Sequence, residues 1–434
     1  MVKKLRFFAR FIVVCLLLKK SKQVRDLTKD LSRHIDDYIK TYDPEDQLEW
    51  QMVKNEINDF IQGDATVFID SAITNKTLIS NRLDVSQVPS FVGPNETTKY
   101  SHHLSLQEIL IIGNCLNQIK FSELSLDMFR MLQAVEREPT CLLQDLDNND
   151  SKKMTTSIKM NDKSKLSDLG NTHTIIQREN PHKYILYKPS FSQFFTYISA
   201  AFKDLPPHGI MLVYISADSC ESNNQNDYDE NELNAYEAGG VKTNNRREIQ
   251  TTTSHMNLSS NNNSLNKAQL KSESSNKDVH CIYPGDLYPF LRKPFFLIVD
   301  SSNSVVFQNI PKFFGQPFLG LFSPTSIPSI FSERQNQNGN LFTLFLTNPL
   351  FAFCSVCNID ELSAEIYYKA TQIIRVLFTD TAKAFYRSKN VDSVFMQISG
   401  DDFLRAFLLR FVFCYHVLRL HRGFKVNCFN LILI

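Results

Sequence analysis

Ile210-Met211-Leu212-Val213-Tyr214-Ile215 and Phe295-Phe296-Leu297-Ile298-Val299 are the two stretches on which the fold turns. Each is a short, unbroken apolar run rich in β-branched and aromatic residues. A strand with one wet face would alternate apolar with polar, whereas a strand covered on both faces is apolar throughout, as in parallel sheets flanked by helices. Pro206-Pro207 precedes the first run and Pro294 the second, so neither continues a helix.

Working outward, the same grammar repeats. Ile109-Leu110-Ile111-Ile112 ends at Gly113-Asn114, which reads as a strand followed by a turn. Ser122 is then placed to cap a helix carrying Leu124, Met128, Met131 and Leu132. Tyr184-Ile185-Leu186-Tyr187 is a further strand, Lys188-Pro189-Ser190 its turn, and Phe191 to Phe202 a helix with Phe195, Ile198 and Phe202. Phe318-Leu319-Gly320-Leu321-Phe322 is the fifth strand. Strands alternating with helices predict an α/β core over 104–330, a Rossmann-like or flavodoxin-like, mostly parallel sheet whose strand order the sequence leaves open.

Helical flanks bracket this core. Over 1–62, Leu5, Phe8, Ile12, Cys15 and Leu16 recur at helical spacing, Leu27, Leu31 and Ile35 repeat it, and Asp43-Pro44 breaks it. Pro44 suits the first turn of a third helix with Leu48, Val53, Ile57 and Phe60, giving the look of a helical-repeat array. Segment 63–103 reads as a hairpin, Val67-Phe68-Ile69 against Lys76-Thr77-Leu78-Ile79, and a linker. Segment 341–426 is helical, with Phe403, Phe407, Leu408 and Phe411 on one face, and 427–434 is an apolar tail. Two stretches, 146–171 and 218–279, are dominated by Asn, Ser, Asp, Lys, Glu and Thr; they read as insertions without fixed structure, the second replaceable by a Gly/Ser linker.

Composition narrows the function classes. The 434 residues carry 47 basic and 46 acidic side chains, a net charge of +1, so no global field draws the protein to a polyanion and no direct nucleic-acid contact is expected. The nine cysteines are odd in number and scattered, which fits a reducing compartment better than a disulfide framework. The N-terminal Lys3, Lys4 and Arg6 followed by Phe11 to Leu18 imitate a secretory leader. Arg10 interrupts the run, however, and Lys19-Lys20-Ser21-Lys22 stands where a small-residue cleavage site belongs. A membrane span needs about 20 predominantly apolar residues. A buried helix and no membrane association are therefore expected.

The sharpest chemical pattern is Asp300-Ser301-Ser302-Asn303-Ser304, directly after the strand ending at Val299. Asp300, Ser302 and Ser304 have the Asp-x-Ser-x-Ser form of the metal-ion-dependent adhesion site of von Willebrand A domains, where hard oxygen ligands hold Mg²⁺. Such a site would make the chain a divalent-cation-dependent ligand-binding module. It also needs a threonine and a second aspartate that the sequence does not place. The competing reading is an aspartate capping a helix or closing a turn, with Asp300→Ala costing about 0.5–2 kcal/mol; on it no metal and no cofactor is expected. The polar strand ends Gly113-Asn114, Lys188-Pro189-Ser190, Ser216-Ala217-Asp218, Asp300-Ser301 and Ser323-Pro324 mark the edge at which open α/β sheets receive ligands. Cys354-Ser355-Val356-Cys357 lacks a second ligand pair for zinc and lies in an apolar run, so it reads as buried hydrophobe. No Walker A loop, G-x-G-x-x-G, H-E-x-x-H or G-x-S-x-G is present, and no catalytic residues are assigned.

Longer blocks carry more information than these motifs. Ile112-Gly113-Asn114-Cys115, Lys120-Phe121-Ser122-Glu123-Leu124 and Asp127 through Ala134 are three of them. Arg178-Glu179-Asn180-Pro181-His182-Lys183-Tyr184, Pro284-Gly285-Asp286-Leu287-Tyr288-Pro289-Phe290, Val299 through Val305, Phe314-Gly315-Gln316-Pro317 and Leu341 through Leu346 follow in order. Together with Val2 through Leu18 they resemble the SCAI (suppressor of cancer cell invasion) family over nearly the whole chain. The resemblance implies a non-enzymatic transcriptional corepressor of nucleus and cytoplasm, acting in Rho–actin signalling and cell migration. Its implied partners are the myocardin-related transcription factor and serum response factor, with a further tie to DNA double-strand-break repair. Family members begin upstream of the segment matched by Met1 and continue past His421, so a truncated or alternatively spliced product is expected, and the Asn-rich insertion is longer than the family pattern.

Overall fold

The computed structural model describes residues 1–42, 44–64, 67–69, 76–78, 80–89, 103–138, 179–220, 236, 238–244, 280–311, 313–359, 362–388 and 390–424. Five strands form one all-parallel sheet: β1 (Ser105–Asn114), β2 (His182–Tyr187), β3 (Gly209–Ala217), β4 (Phe295–Asp300) and β5 (Phe318–Phe322). All five are the strands that the apolar runs predict. Their spatial order is β5-β4-β3-β1-β2, the flavodoxin-like variant of the doubly wound fold, whose direction reverses between β1 and β3.

The alternation of side chains across each strand explains why the runs have no polar positions. Ile109, Ile111, Leu212, Tyr214, Phe296, Ile298, Leu319 and Leu321 point into one core; Leu110, Ile112, Met211, Val213, Ile215, Leu297 and Val299 point into the other. The second core is closed by α5 (Phe191–Asp204) through Phe194, Ile198 and Ala201, and by Phe290 and Phe307. The first is closed by α4 (Leu126–Ala134) and by the N- and C-terminal helices.

α5 begins as its sequence dictates: the Ser190 hydroxyl accepts from Gln193 N (3.3 Å) while Gln193 Oε1 accepts from Ser190 N (2.9 Å), a reciprocal capping box. At α4 the expected cap moves. Ser122 (φ 58°) and Glu123 (φ 64°) are the two left-handed residues of a tight hairpin joining Lys120–Phe121 to Leu124–Ser125, and the cap is Ser125, whose hydroxyl accepts from Met128 N. Gly113, expected in a turn, lies inside β1 opposite Tyr187 and Ser216. A Cβ there would run into the Met128 side chain from α4. Gly113→Ala should therefore cost about 1–3 kcal/mol by overpacking, read as a lower urea midpoint with an unchanged m value.

The N-terminal flank is three helices, α1 (Val2–Leu17), α2 (Ser21–Tyr42) and α3 (Gln47–Asp64), packed in series. The third starts at Gln47 rather than at Pro44. Asp46 organises that start: its carboxylate accepts from Trp50 Nε1 (2.9 Å) and from Tyr38 Oη of α2 (3.3 Å). None of the described helices is long and apolar enough to cross a membrane. Val67–Ile69 and Lys76–Leu78 do pair as an antiparallel hairpin.

Within 218–279 the structure differs from the expectation of a featureless insertion. Ser219–Cys220, Gly240–Asn244 and His280–Ile282 form a three-stranded antiparallel sheet in which Val241 and Thr243 are buried. Replacing all of 218–279 by a Gly/Ser linker would remove two of those strands and with them buried Val241. The buried Val241 and Ile282 and the ladder outweigh the polar composition around them. The insertion 146–171 and the tail 427–434 lie outside the described residues.

The C-terminal part is helical as expected: α6 (Leu341–Thr347), α7 (Pro349–Val356), α8 (Ala364–Arg387) and α9 (Asp402–Leu420). Phe403, Phe407, Leu408 and Phe411 of α9 are all buried. Of the Cys354–Cys357 pair, Cys354 is buried as expected, but Cys357 is exposed beyond the end of α7.

Candidate functional site

In a sheet of this order the place for a ligand is outside the carboxyl ends of the strands, beside the reversal between β1 and β3. A crevice of about 380 Å³ lies there, walled by Cys115 after β1, Ala217 and Asp218 at the end of β3, Asp300 to Ser302 after β4, and Ser323 and Pro324 after β5. Three of the five polar strand ends named from sequence thus meet in one place, and a fourth, Gly113-Asn114, reaches it through the next residue, Cys115. The fifth does not: Lys188 and Pro189 line a separate cavity beside Arg10 and Leu17 of α1.

The floor of the crevice is a buried polar network built on two aspartates. Asp127, in the first turn of α4, accepts from Gln118 Nε2 (2.6 Å), Ser216 Oγ (3.0 Å) and the Asn340 backbone N–H (3.0 Å). Asp300, at the end of β4, accepts from both the backbone N–H (3.1 Å) and the hydroxyl (2.7 Å) of Thr343. The Thr343 hydroxyl has one proton and gives it to Asp300, so Tyr214 Oη, 2.6 Å away, donates to Thr343. Asn340 Nδ2 completes the ring by donating to Ser216 Oγ (3.2 Å).

These contacts have a structural meaning. Asn340 is the N-cap of α6, yet its own side chain makes no capping bond. Asp127 takes the Asn340 N–H and Asp300 the Thr343 N–H, so two acids from other elements cap α6. Each satisfies an otherwise orphaned donor, and any charge on either carboxylate faces the positive end of the helix. The chain reaches this cap through Gly339 (φ 76°), where a Cβ would strike Asp127 and Arg130. The cap fixes the C-terminal helices onto the edge of the sheet.

Burial dominates the electrostatics. Asp300 is 4% exposed; desolvation first, and the Asp127 charge second, push its carboxyl up to about 7 against the bonds from Thr343 and Asn340. Asp127 is raised by burial too, opposed by Gln118, Arg130, Ser216 and Asn340. Burial and then Asp127 raise the Cys115 thiol far from the thiolate range, so it is no nucleophile. Asp218 is raised by burial while its carboxylate accepts from Leu116 N (3.1 Å).

The adhesion-type triplet is pulled three ways. Asp300 is held by Thr343, Ser302 is exposed on the crevice wall, and Ser304 is buried with its hydroxyl donating to the Ser323 carbonyl (2.7 Å). Ser304 does not line the crevice. The capping reading of Asp300 is the one its contacts describe, though the helix capped is α6, contributed from further along the chain, and not the turn that follows β4. Asp127 belongs to no motif; its one signal in the sequence is an acid within the otherwise apolar Leu126-Asp127-Met128-Phe129.

Comparison with known proteins agrees over the whole chain. The family model described as Protein SCAI matches residues 1–424. Protein SCAI of Mus musculus and Protein SCAI of Homo sapiens are each 42% identical over 425 residues, covering 98% of this chain and 63% of the relative. Protein SCAI homolog of Dictyostelium discoideum is 31% identical over 555 residues, covering 99% of this chain and 71% of that protein. The chain therefore spans less than two thirds of the length of the two mammalian relatives. No solved structure matches it. With a family model covering all but the last ten residues, this chain belongs to the SCAI family.

Proposed function

We propose that the chain is a non-enzymatic transcriptional cofactor that lowers transcription driven by the myocardin-related transcription factor and serum response factor in Rho signalling, working by protein–protein contact in nucleus and cytoplasm. Family membership supports the reading, and one structural observation carries it further. At the edge of the sheet where a doubly wound enzyme holds its substrate, Asp127, Asp300, Ser216 and Asn340 are engaged with one another and with α6. Groups committed to capping a helix act as scaffold, and a scaffold works through its outer surface. The net charge of +1 favours protein partners over direct contact with nucleic acid.

The test is a serum-response-element luciferase reporter in cultured cells co-expressing the myocardin-related factor, with this chain added at increasing dose. Reporter output should fall with dose, and the chain should co-precipitate with the factor from nuclear and cytoplasmic fractions. Undiminished output together with absence of co-precipitation would remove the proposal.

A further inference from the structure

A second cavity, of about 400 Å³, opens between the segment 80–89, the start of α7, and helices α8 and α9. Its floor is apolar, with Leu350, Ile374, Phe378 and Leu409, and three arginines line it: Arg82, Arg375 and Arg410. None of the three has a carboxylate partner among the described residues.

Each guanidinium is left with unused capacity. Arg410 of α9 makes one bond, Nη1 to the Leu346 carbonyl (2.9 Å), and desolvation lowers its pKa to about 10. Arg82 donates from Nη2 to the Leu17 carbonyl (2.9 Å), but its buried Nε has no partner. Arg375 of α8 is exposed and forms no ion pair among the described residues. Two acids, Asp84 and Glu138, also line the cavity. Neither pairs with these arginines, and Glu138 is held by Ser80 (2.8 Å) and Lys19 (3.8 Å). A guanidinium with unused donors, partly desolvated as at Arg82 and Arg410, is matched by an anion when one binds.

The surroundings specify what brings that anion. A free phosphate or other small ion would leave the apolar floor uncovered. Tyr368 of α8, which lines the cavity, stands 66% exposed and adds an open ring to that floor. Apolar floor, exposed ring and arginines together are complementary to a segment mixing carboxylates with large apolar side chains. We propose that this cavity docks an acidic peptide segment of a partner protein, one aliphatic or aromatic side chain entering it while flanking carboxylates meet Arg375 and Arg410. This deepens the cofactor reading by naming the chemistry of the partner, but a binding assay on the purified chain tests it independently of the reporter.

The probe is a fluorescein-labelled synthetic peptide alternating Glu with Leu and Phe, followed by fluorescence anisotropy. Saturable binding is expected, weakened at least about tenfold by Arg375→Glu and by Arg410→Gln, as for loss of a close charge pair. Arg375→Glu is an exposed change that leaves the fold intact, checked by an unchanged thermal melt, so a loss there is not a loss of folding. A peptide with Gln for Glu, and oligoglutamate without apolar residues, should both bind weakly. Equal binding to wild type and Arg375→Glu would overturn the proposal. So would oligoglutamate binding as tightly as the probe, or displacement of the probe by single-stranded DNA at equal concentration, which would assign the arginines to a polyanion.

Discussion

The protein should lose stability as pH rises from about 4 to about 7, and Asp300→Asn should abolish much of that loss. Asp300 titrates near its ordinary 3.8 when unfolded and at about 7 when folded. Between those values the native chain holds a proton that the unfolded chain has released. The unfolded state thus binds fewer protons, and stability falls with rising pH across this window, levelling off above it. The shift corresponds to a contribution on the order of 4 kcal/mol, fully present below the unfolded value. An asparagine keeps an acceptor for Thr343 and never ionises. The variant should therefore gain on the wild type as pH increases, the gap saturating above pH 7. Chemical denaturation of both proteins at intervals from pH 4 to 8 measures it, and taking the difference cancels groups common to both. Parallel curves would show that Asp300 is ionised throughout. Asp127→Asn should lower the Asp300 pKa, because the Asp127 charge is the second cause of its rise.

The largest single-residue effect is expected at Arg130. This side chain is 2% exposed, and its guanidinium donates to the carbonyls of Asn338 and, at 2.8 Å, Gly63. It ties the end of α3 and the approach to α6 onto α4 while balancing the buried charge of Asp127. Arg130→Met should cost about 3–5 kcal/mol, the range for removing one partner of a buried charge pair. Lysine cannot reach both carbonyls in fork geometry and should recover only part. Most of the loss is the penalty on a stranded Asp127, so Arg130→Met combined with Asp127→Asn should be less destabilised than Arg130→Met alone. A urea-denaturation cycle over the four proteins measures that coupling, and strict additivity would assign the loss to the two carbonyls instead.

Local chemistry made much of this protein legible. The strands at 209–217, 295–300 and 318–322 announced themselves as unbroken apolar runs because each contributes alternate residues to two cores. The capping box at Ser190 and the apolar face of α9 were equally readable, since both depend on residues three or four apart. Ser122 was misread for a local reason: Ser125, three residues on, offers the same hydroxyl, and the left-handed pair at 122–123 turns the chain first. Gly240–Asn244 was missed because a short strand inside a polar stretch is stabilised by neighbours at 219–220 and 280–282 that no window includes.

The candidate site divides along the same line. The sequence by itself determined the strand ends, the α/β class, the family, and the singularity of Asp300. Only the tertiary structure decided that β1 lies between β2 and β3, which sets the reversal and the crevice. It alone brought Asp127, Asp300 and Thr343 to one helix terminus and set Arg82, Arg375 and Arg410 around one cavity with no carboxylate bonded to them among the described residues. Strand order and the company of a buried charge are fixed by contacts between residues distant in the chain, where propensity and periodicity have no reach.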